Sequence, residues 1–231
     1  MATMILAHPR SKSSLLADCF NDYIGEIFNI RSIDKNTLIF DHTLNGDHRL
    51  ASEIWRDAWA QKYFQNLEKK LTLDKDVCFK VFFDHIAHFP QGLELIRKIN
   101  PTVIAISRQN KLHAIKSLLI AEMRGFAKHY EKAFDPFTVT FYDFCMRYQQ
   151  CVVEPKLLNQ LFKPDWTTTY ETFEPANFPY AQRLPELIYQ NSAEVFSFIL
   201  NEQVVEQWFE LFSSPKPNDL KAFARDYIWQ R

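Results

Sequence analysis

The residue types best suited to chemistry gather near the N-terminus, where Pro9-Arg-Ser-Lys-Ser-Ser14 sets two cations among three hydroxyls. An apolar run, Met4 to Ala7, precedes this stretch, and Leu15, Leu16, Cys19, Phe20, Tyr23 and Ile24 follow it at the spacing of one helical face. Strand, polar loop and helix in that order make a seat for a phosphate or sulfate. Helix N-terminal N–H groups carry partial positive charge, and Arg10 and Lys12 stand beside them. Ser13 or Ser14 suits the helix cap. The plain alternative is a strand-to-helix turn with no ligand. A second such arrangement comes later: Arg108 ends the apolar run Thr102–Ser107, and Ser117 lies nine residues on, inside the following helical pattern. A guanidinium fork plus a hydroxyl suits a terminal phosphate, because the fork takes two oxygens at once. Two groups have the chemistry of a general base. Glu26 follows Gly25, which reads as the stop of the first helix, and His85 follows the run Val77–Phe83. His85 and His88 form a bare H-x-x-H with no third ligand at metal spacing, so no metal site is assigned.

The elements that must position these groups are legible in outline. Residues 36–47 hold turn signals, with a short strand expected at 37–40. From His48 to Leu73 an amphipathic pattern runs through Leu50, Ile54, Ala58, Tyr63, Phe64, Leu67 and Leu71, with Trp55 and Trp59 as an aromatic ridge and Glu68, Lys69 and Lys70 on the wet side. Val77–Phe83 has strand composition, Leu93–Ile99 reads as a helix ended by Asn100-Pro101, Thr102–Arg108 as a buried strand, and Lys111–Arg124 as a helix. Residues 137–162 read as two helices with Asp143, Arg147 and Gln150 outward and Phe141, Cys145 and Leu158 inward. Trp166–Phe173 alternates like a strand, Pro175, Pro179 and Pro185 mark an extended run containing Gln182-Arg183, and the last stretch, about 192–231, is helical. This order predicts an α/β fold: a P-loop NTPase-like central parallel sheet flanked by helices, with a helical insertion over 48–73 and a helical C-terminus, in one domain spanning 1–231.

Composition limits the function classes. The chain has 231 residues, 47% hydrophobic and 15% aromatic, enough to bury a full core. A net charge of −1 and a pI near 6.7 give no general basic surface, so any anion site is local and nucleic acid is not an expected partner. Cys19, Cys78, Cys145 and Cys151 contain no C-x-x-C, which fits reduced thiols in a cytoplasmic protein. No stretch approaches the ~20 apolar residues of a membrane span, and the N-terminal apolar run is too short for a secretory leader.

Pro9-Arg-Ser-Lys-Ser-Ser-Leu-Leu16 resembles the P-R-S-G-[ST]-[ST]-L-L loop of sulfotransferases that use 3′-phosphoadenosine 5′-phosphosulfate, at every position except Lys12, where that family has glycine. Gly25-Glu-Ile-Phe-Asn29 resembles the G-E-x-[FL]-[NH] motif of the bacterial and phage-type members, and Arg108-Gln-Asn110 with Ser117 resembles their second phosphate-binding segment. Lys80-Val-Phe-Phe-Asp-His85 is loosely similar to a K-[VLI]-x-x-x-[HQ] strand, and Tyr170-Glu171 to the family's late R-Y-E-D-L turn. The resemblance implies sulfuryl transfer to the hydroxyl of a small-molecule, carbohydrate or lipid acceptor, with adenosine 3′,5′-bisphosphate as product. It implies that Arg10, Ser11, Lys12, Ser13, Ser14, Arg108 and Ser117 bind the cofactor, that Lys12 or Arg10 stabilises the leaving phosphate, and that Glu26 is the base with His85 as its rival. Glycine in the Lys12 slot lets backbone approach the anion, so a lysine there must hold the same backbone shape at some strain or offer its ammonium instead. Two alternatives remain. One is a P-loop kinase-like phosphotransferase, whose G-x-x-x-x-G-K-[ST] places Lys12-Ser13 correctly but meets Leu6 and Ser11 at its glycines and has Asp84 as its candidate magnesium ligand. The other is an inactive nucleotide-binding relative.

Overall fold

The computed structural model describes residues 2–21, 48–73, 77–123, 135–185 and 196–213, without the side chains of 48–59, Asp84, His88, Glu122 and Met123. Glu26 with Gly25, the strand expected at 37–40, Trp55 and Trp59 as side chains, Arg124, the segment 186–195 and the chain beyond 213 lie outside the described residues. The chain divides into two compact units, residues 1–109 with 153–190, and residues 110–152 with 191–231.

The first unit is built on a parallel four-stranded sheet: β1 (Thr3–Leu6), β2 (Cys78–Val81), β3 (Thr102–Ser107) and β4 (Trp166–Thr169), in the order β2-β1-β3-β4. Thr3 pairs with Cys78 on one side and Thr102 on the other, and Ile104 pairs with Trp166. β1, β2 and β3 are nearly all apolar because both faces of the sheet are covered. Alternation along the strands sorts their side chains into two layers. Met4, Leu6, Phe79, Val81, Val103 and Ala105 face one cluster, completed by Tyr63, Phe64 and Leu67 of α2 (His48–Leu73). α3 (Phe83–His88), α4 (Gln91–Ile99) and α7 (Glu154–Leu161) add Ile86, Ile96 and Leu158 to it. Gly92 on α4 allows the close approach to α2, since a Cβ there would stand 2.2 Å from the Phe64 ring. Ile5, Cys78, Ile104 and Ile106 face the other cluster, completed by Leu15 and Leu16 of α1 (Ser13–Ala17) and by Phe173 and Phe178.

Three local expectations change. The first helix does not run to Gly25: α1 stops at Ala17, because the next turn is tightened by Cys19 N–H to Leu16 and Phe20 N–H to Ala17. The Cys19 carbonyl, which a continuing helix would use, accepts instead from the backbone N–H groups of Gln182 and Arg183. The strand expected to reach Phe83 ends at Val81. Phe82 is extended and precedes α3, and His85 Nδ1 accepts its N–H at 3.3 Å. Between α6 (Phe141–Tyr148) and α7 the backbone widens into a π turn, Gln149–Val153, before Pro155 enters the first turn of α7, where its missing N–H is harmless. The extra residue in that turn rotates Gln150 inward, so it is buried rather than exposed and accepts from Arg147 Nη1 at 2.6 Å.

The second unit is helical. α5 (Lys111–Met123), α6 and α8 (Glu202–Ser213) pack around Ile115, Leu118, Phe144, Cys151, Val205 and Trp208. Asn201 pins the entry to α6 by accepting the Val139 N–H and donating to the Val139 carbonyl, both at 2.9 Å. Among the described residues no helix is long and apolar enough to cross a membrane.

Candidate anion site

In an open parallel sheet, ligands bind beyond the C-terminal ends of the strands, where successive connections leave in opposite directions. Here β1 connects to β2 on one side, and β2 then crosses β1 to reach β3 on the other. The crevice falls between the loop after β1 and the turn after β3. Arg10 to Ser14 occupy the first, and Arg108 and Gln109 the second.

The loop after β1 has an unusual backbone. Arg10 and Lys12 both lie in the left-handed region, at φ 59° and 63°, while Ser11 between them does not. For an L-residue this costs roughly 1–2 kcal/mol, and strain of this kind persists where the surroundings impose it. Alternation of handedness turns successive N–H groups toward one concavity, the geometry that cradles anions. Ser11, almost fully buried, locks the turn by donating its hydroxyl to the His8 carbonyl at 2.8 Å, and Leu16 N–H closes the first turn of α1 on the Lys12 carbonyl. Neither Ser13 nor Ser14 is the cap: Lys12 occupies that position with no side-chain cap bond, and Ser13 is the first helical residue.

Cations converge on this loop from three strands. Lys12 Nζ stands 4.4 Å from the centroid of the Tyr170 ring, and the Arg108 guanidinium 4.3 Å from the same centroid. The two charges are therefore no farther apart than the sum of those distances. At an effective dielectric near 20 their repulsion is at least about 2 kcal/mol, which a bound anion would relieve. Tyr170 is held from the β4 side by its N–H to the Ser107 carbonyl, and both carboxylate oxygens of Glu171 accept the Gln109 N–H at 3.0 Å.

The third cation, Lys80, has only a loose motif match in the sequence. It lies in the middle of buried β2, and strand alternation points it to the same layer as Cys78, under α1. Its ammonium donates to Ser14 Oγ at 3.1 Å. Burial pulls its pKa from the ordinary value down to about 8, with the nearby Asp18 charge resisting. The signal that would have found it is the residue itself: a lysine inside a strand otherwise wholly apolar is costly without a task.

The remaining candidates are placed as follows. Arg10 and Ser14 are exposed at the rim, Ser13 is buried, and Arg108 is 5% exposed. His85 is 1% exposed, with its ring 4.8 Å from that of Tyr63, whose hydroxyl donates to the Lys80 carbonyl. Ser117 is buried on α5, in the second unit. The Pro-rich run is fastened to the end of α1, for Arg183 Nε donates to the Asp18 carbonyl at 2.8 Å and Gln182 Oε1 accepts the Asn21 N–H at 2.9 Å. Among the described residues no group of three or more His, Cys, Asp or Glu gathers as a metal site. Comparison of the chain with family models, with curated proteins and with solved structures found no match.

Proposed function

We propose that the chain binds 3′-phosphoadenosine 5′-phosphosulfate and transfers its sulfuryl group to the hydroxyl of a small-molecule, carbohydrate or lipid acceptor. The observation that carries this reading is the backbone of Lys12, at φ 63° and ψ 17°. The resembled loop has glycine there, and the lysine keeps glycine's left-handed shape while adding an ammonium. A left-handed backbone at this position supports an anion cradle of the resembled kind, with an ammonium added to it.

In this reading the loop N–H groups, Lys12 and Lys80 face the phosphosulfate, while Arg108 takes the 3′-phosphate. The acceptor oxygen forms its bond to sulfur as the bond from sulfur to the bridging oxygen breaks. The electron pair leaves on that oxygen with adenosine 3′,5′-bisphosphate. Lys12 and Lys80 counter the charge that develops on the departing phosphate, and Glu26 takes the acceptor's proton. His85 is the rival base, and its burial beneath Tyr63 favours a role in capping α3.

The test is a thermal-shift comparison of adenosine 3′,5′-bisphosphate without metal against ATP with Mg²⁺. A ligand that binds the native state alone at a hundred times its Kd adds about 2.7 kcal/mol. The bisphosphate is expected to raise the melting temperature and ATP to do so weakly. A shift confined to ATP with Mg²⁺ would replace this reading with a kinase-like phosphotransferase. Binding of the bisphosphate without release of it from the phosphosulfate in the presence of any acceptor would mark an inactive nucleotide-binding relative.

A further inference from the structure

We propose that Tyr170 is a positioning residue of the anion site, its ring holding the Lys12 ammonium and the Arg108 guanidinium at a set separation so that a ligand with two anionic groups meets both cations already in place. This rests on the nucleotide reading above and assigns a determinant of specificity within it.

Both cations dock on one ring, at 4.4 and 4.3 Å from its centroid. The negative face of an aromatic ring attracts a cation most where water is scarce, and Arg108 is almost wholly buried. The ring's place is set by backbone. The Tyr170 N–H bonds the Ser107 carbonyl at 2.6 Å, and Glu171 clasps the Gln109 N–H with both oxygens, which ties the end of β4 to the end of β3. At its other edge Lys12 is fixed by the left-handed loop. Long cationic side chains normally lose rotamer freedom when a ligand recruits them. Cations docked on a fixed ring have lost part of that freedom beforehand, so two anionic groups that meet them are bound at a smaller entropic cost.

The test measures binding of adenosine 3′,5′-bisphosphate and of ribose 3,5-bisphosphate, which has the same phosphates and no base to stack. Tyr170→Phe keeps the ring and is expected to bind both like the native protein. Tyr170→Leu is expected to weaken both by roughly fivefold. Mono-, di- and trifluorophenylalanine at position 170 keep the ring's size while draining its negative face, and should weaken binding stepwise. They also decide the matter if the leucine variant does not fold. A flat fluorination series, tighter binding as the ring is drained, or equal losses for phenylalanine and leucine would overturn the assignment. Loss confined to the adenosine ligand would do so as well, because it would make Tyr170 a base-stacking residue. Native protein that binds neither bisphosphate would overturn the nucleotide reading and this inference together, whereas native binding indifferent to the ring overturns this inference alone.

Discussion

Among the described residues the buried lysines are Lys80, in β2 of the first unit, and Lys116, in α5 of the second, and they are held in opposite ways. Lys116 is 2% exposed and donates to Glu202 Oε1 and Glu206 Oε1, both at 2.6 Å, with the Phe196 ring 5.2 Å away. Its charge is spent on two carboxylates that are themselves partly in water, and its role is to join α5 to α8. Lys80 donates to a neutral hydroxyl on the anion loop, and burial lowers its pKa to about 8. That hydroxyl belongs to Ser14, and the Asp18 charge acts on the same ammonium. The helical unit holds its lysine on two carboxylates, whereas buried β2 carries Lys80 at some cost to stability, since burial disfavours its charged form.

The largest effect that can break this comparison is Lys80→Met. If the charge serves a ligand, affinity for adenosine 3′,5′-bisphosphate falls about 10–100-fold, the equivalent of a charge-assisted hydrogen bond. The ligand-free melting temperature holds or rises, since methionine fills the space without desolvating a charge. Unchanged affinity would make Lys80 structural. The same lysine sets a pH dependence. Its folded pKa lies near 8 and its unfolded one near 10.5, so between those values the unfolded chain binds more protons, and this residue's contribution to stability rises with pH. A bound anion favours the charged form. Binding should therefore take up a proton from about pH 8 upward, and affinity should fall as pH rises through that range. Calorimetry in buffers of different ionisation enthalpy reads the proton directly, and Lys80→Met should abolish the uptake.

Lys116→Met comes next and should act in the other currency, stability. Removing one partner of a buried pair costs several kcal/mol when the remaining charge stays buried. Here Glu202 and Glu206 are over a third exposed and rehydrate, so the expected loss is about 1–2 kcal/mol, read from denaturant midpoints. Nucleotide affinity should change far less than in Lys80→Met. A loss of affinity equal to that of Lys80→Met would erase the distinction between the two lysines.

The difference between these regions also explains what the sequence made legible. β3 is plain because Thr102–Ser107 is a β-branched apolar run between Pro101 and a charged end, and α2 because Tyr63, Phe64 and Leu67 recur at helical spacing. The positions of Arg10, Lys12 and Arg108 at strand ends follow from the same patterns, and of these Lys12 and Arg108 meet at the Tyr170 ring. Lys80 was less plain: a lysine inside an otherwise apolar strand signals a task, but only the position of α1 over that layer shows that the ammonium meets Ser14 of the anion loop. The π turn at Gln149–Val153 was hidden for a related reason: one inserted residue shifts helical phase without leaving a signature beyond Pro155. The early end of α1 depends on hydrogen bonds from Gln182 and Arg183, far along the chain, which no local pattern encodes.

The smallest expected effect separates the two things Lys12 brings to the site. Lys12→Ala and Lys12→Gly both delete the ammonium that sits over Tyr170, so both should weaken bisphosphate binding by a similar severalfold margin. They differ in backbone. Alanine keeps a Cβ at φ 63° and with it the left-handed penalty, while glycine is at ease there but has more freedom to lose on folding. With a penalty of roughly 1–2 kcal/mol against an entropy cost of about half that, Lys12→Gly should be the more stable of the two by about 1 kcal/mol or less. Denaturant unfolding of the pair measures that gap. Alanine as stable as glycine would mean that position 12 does not hold the left-handed turn in solution, and the cradle inferred from it would go. A clear gap with equal binding losses would leave backbone shape and ammonium as separate contributions, the first inherited from the glycine form of the loop and the second added by this chain.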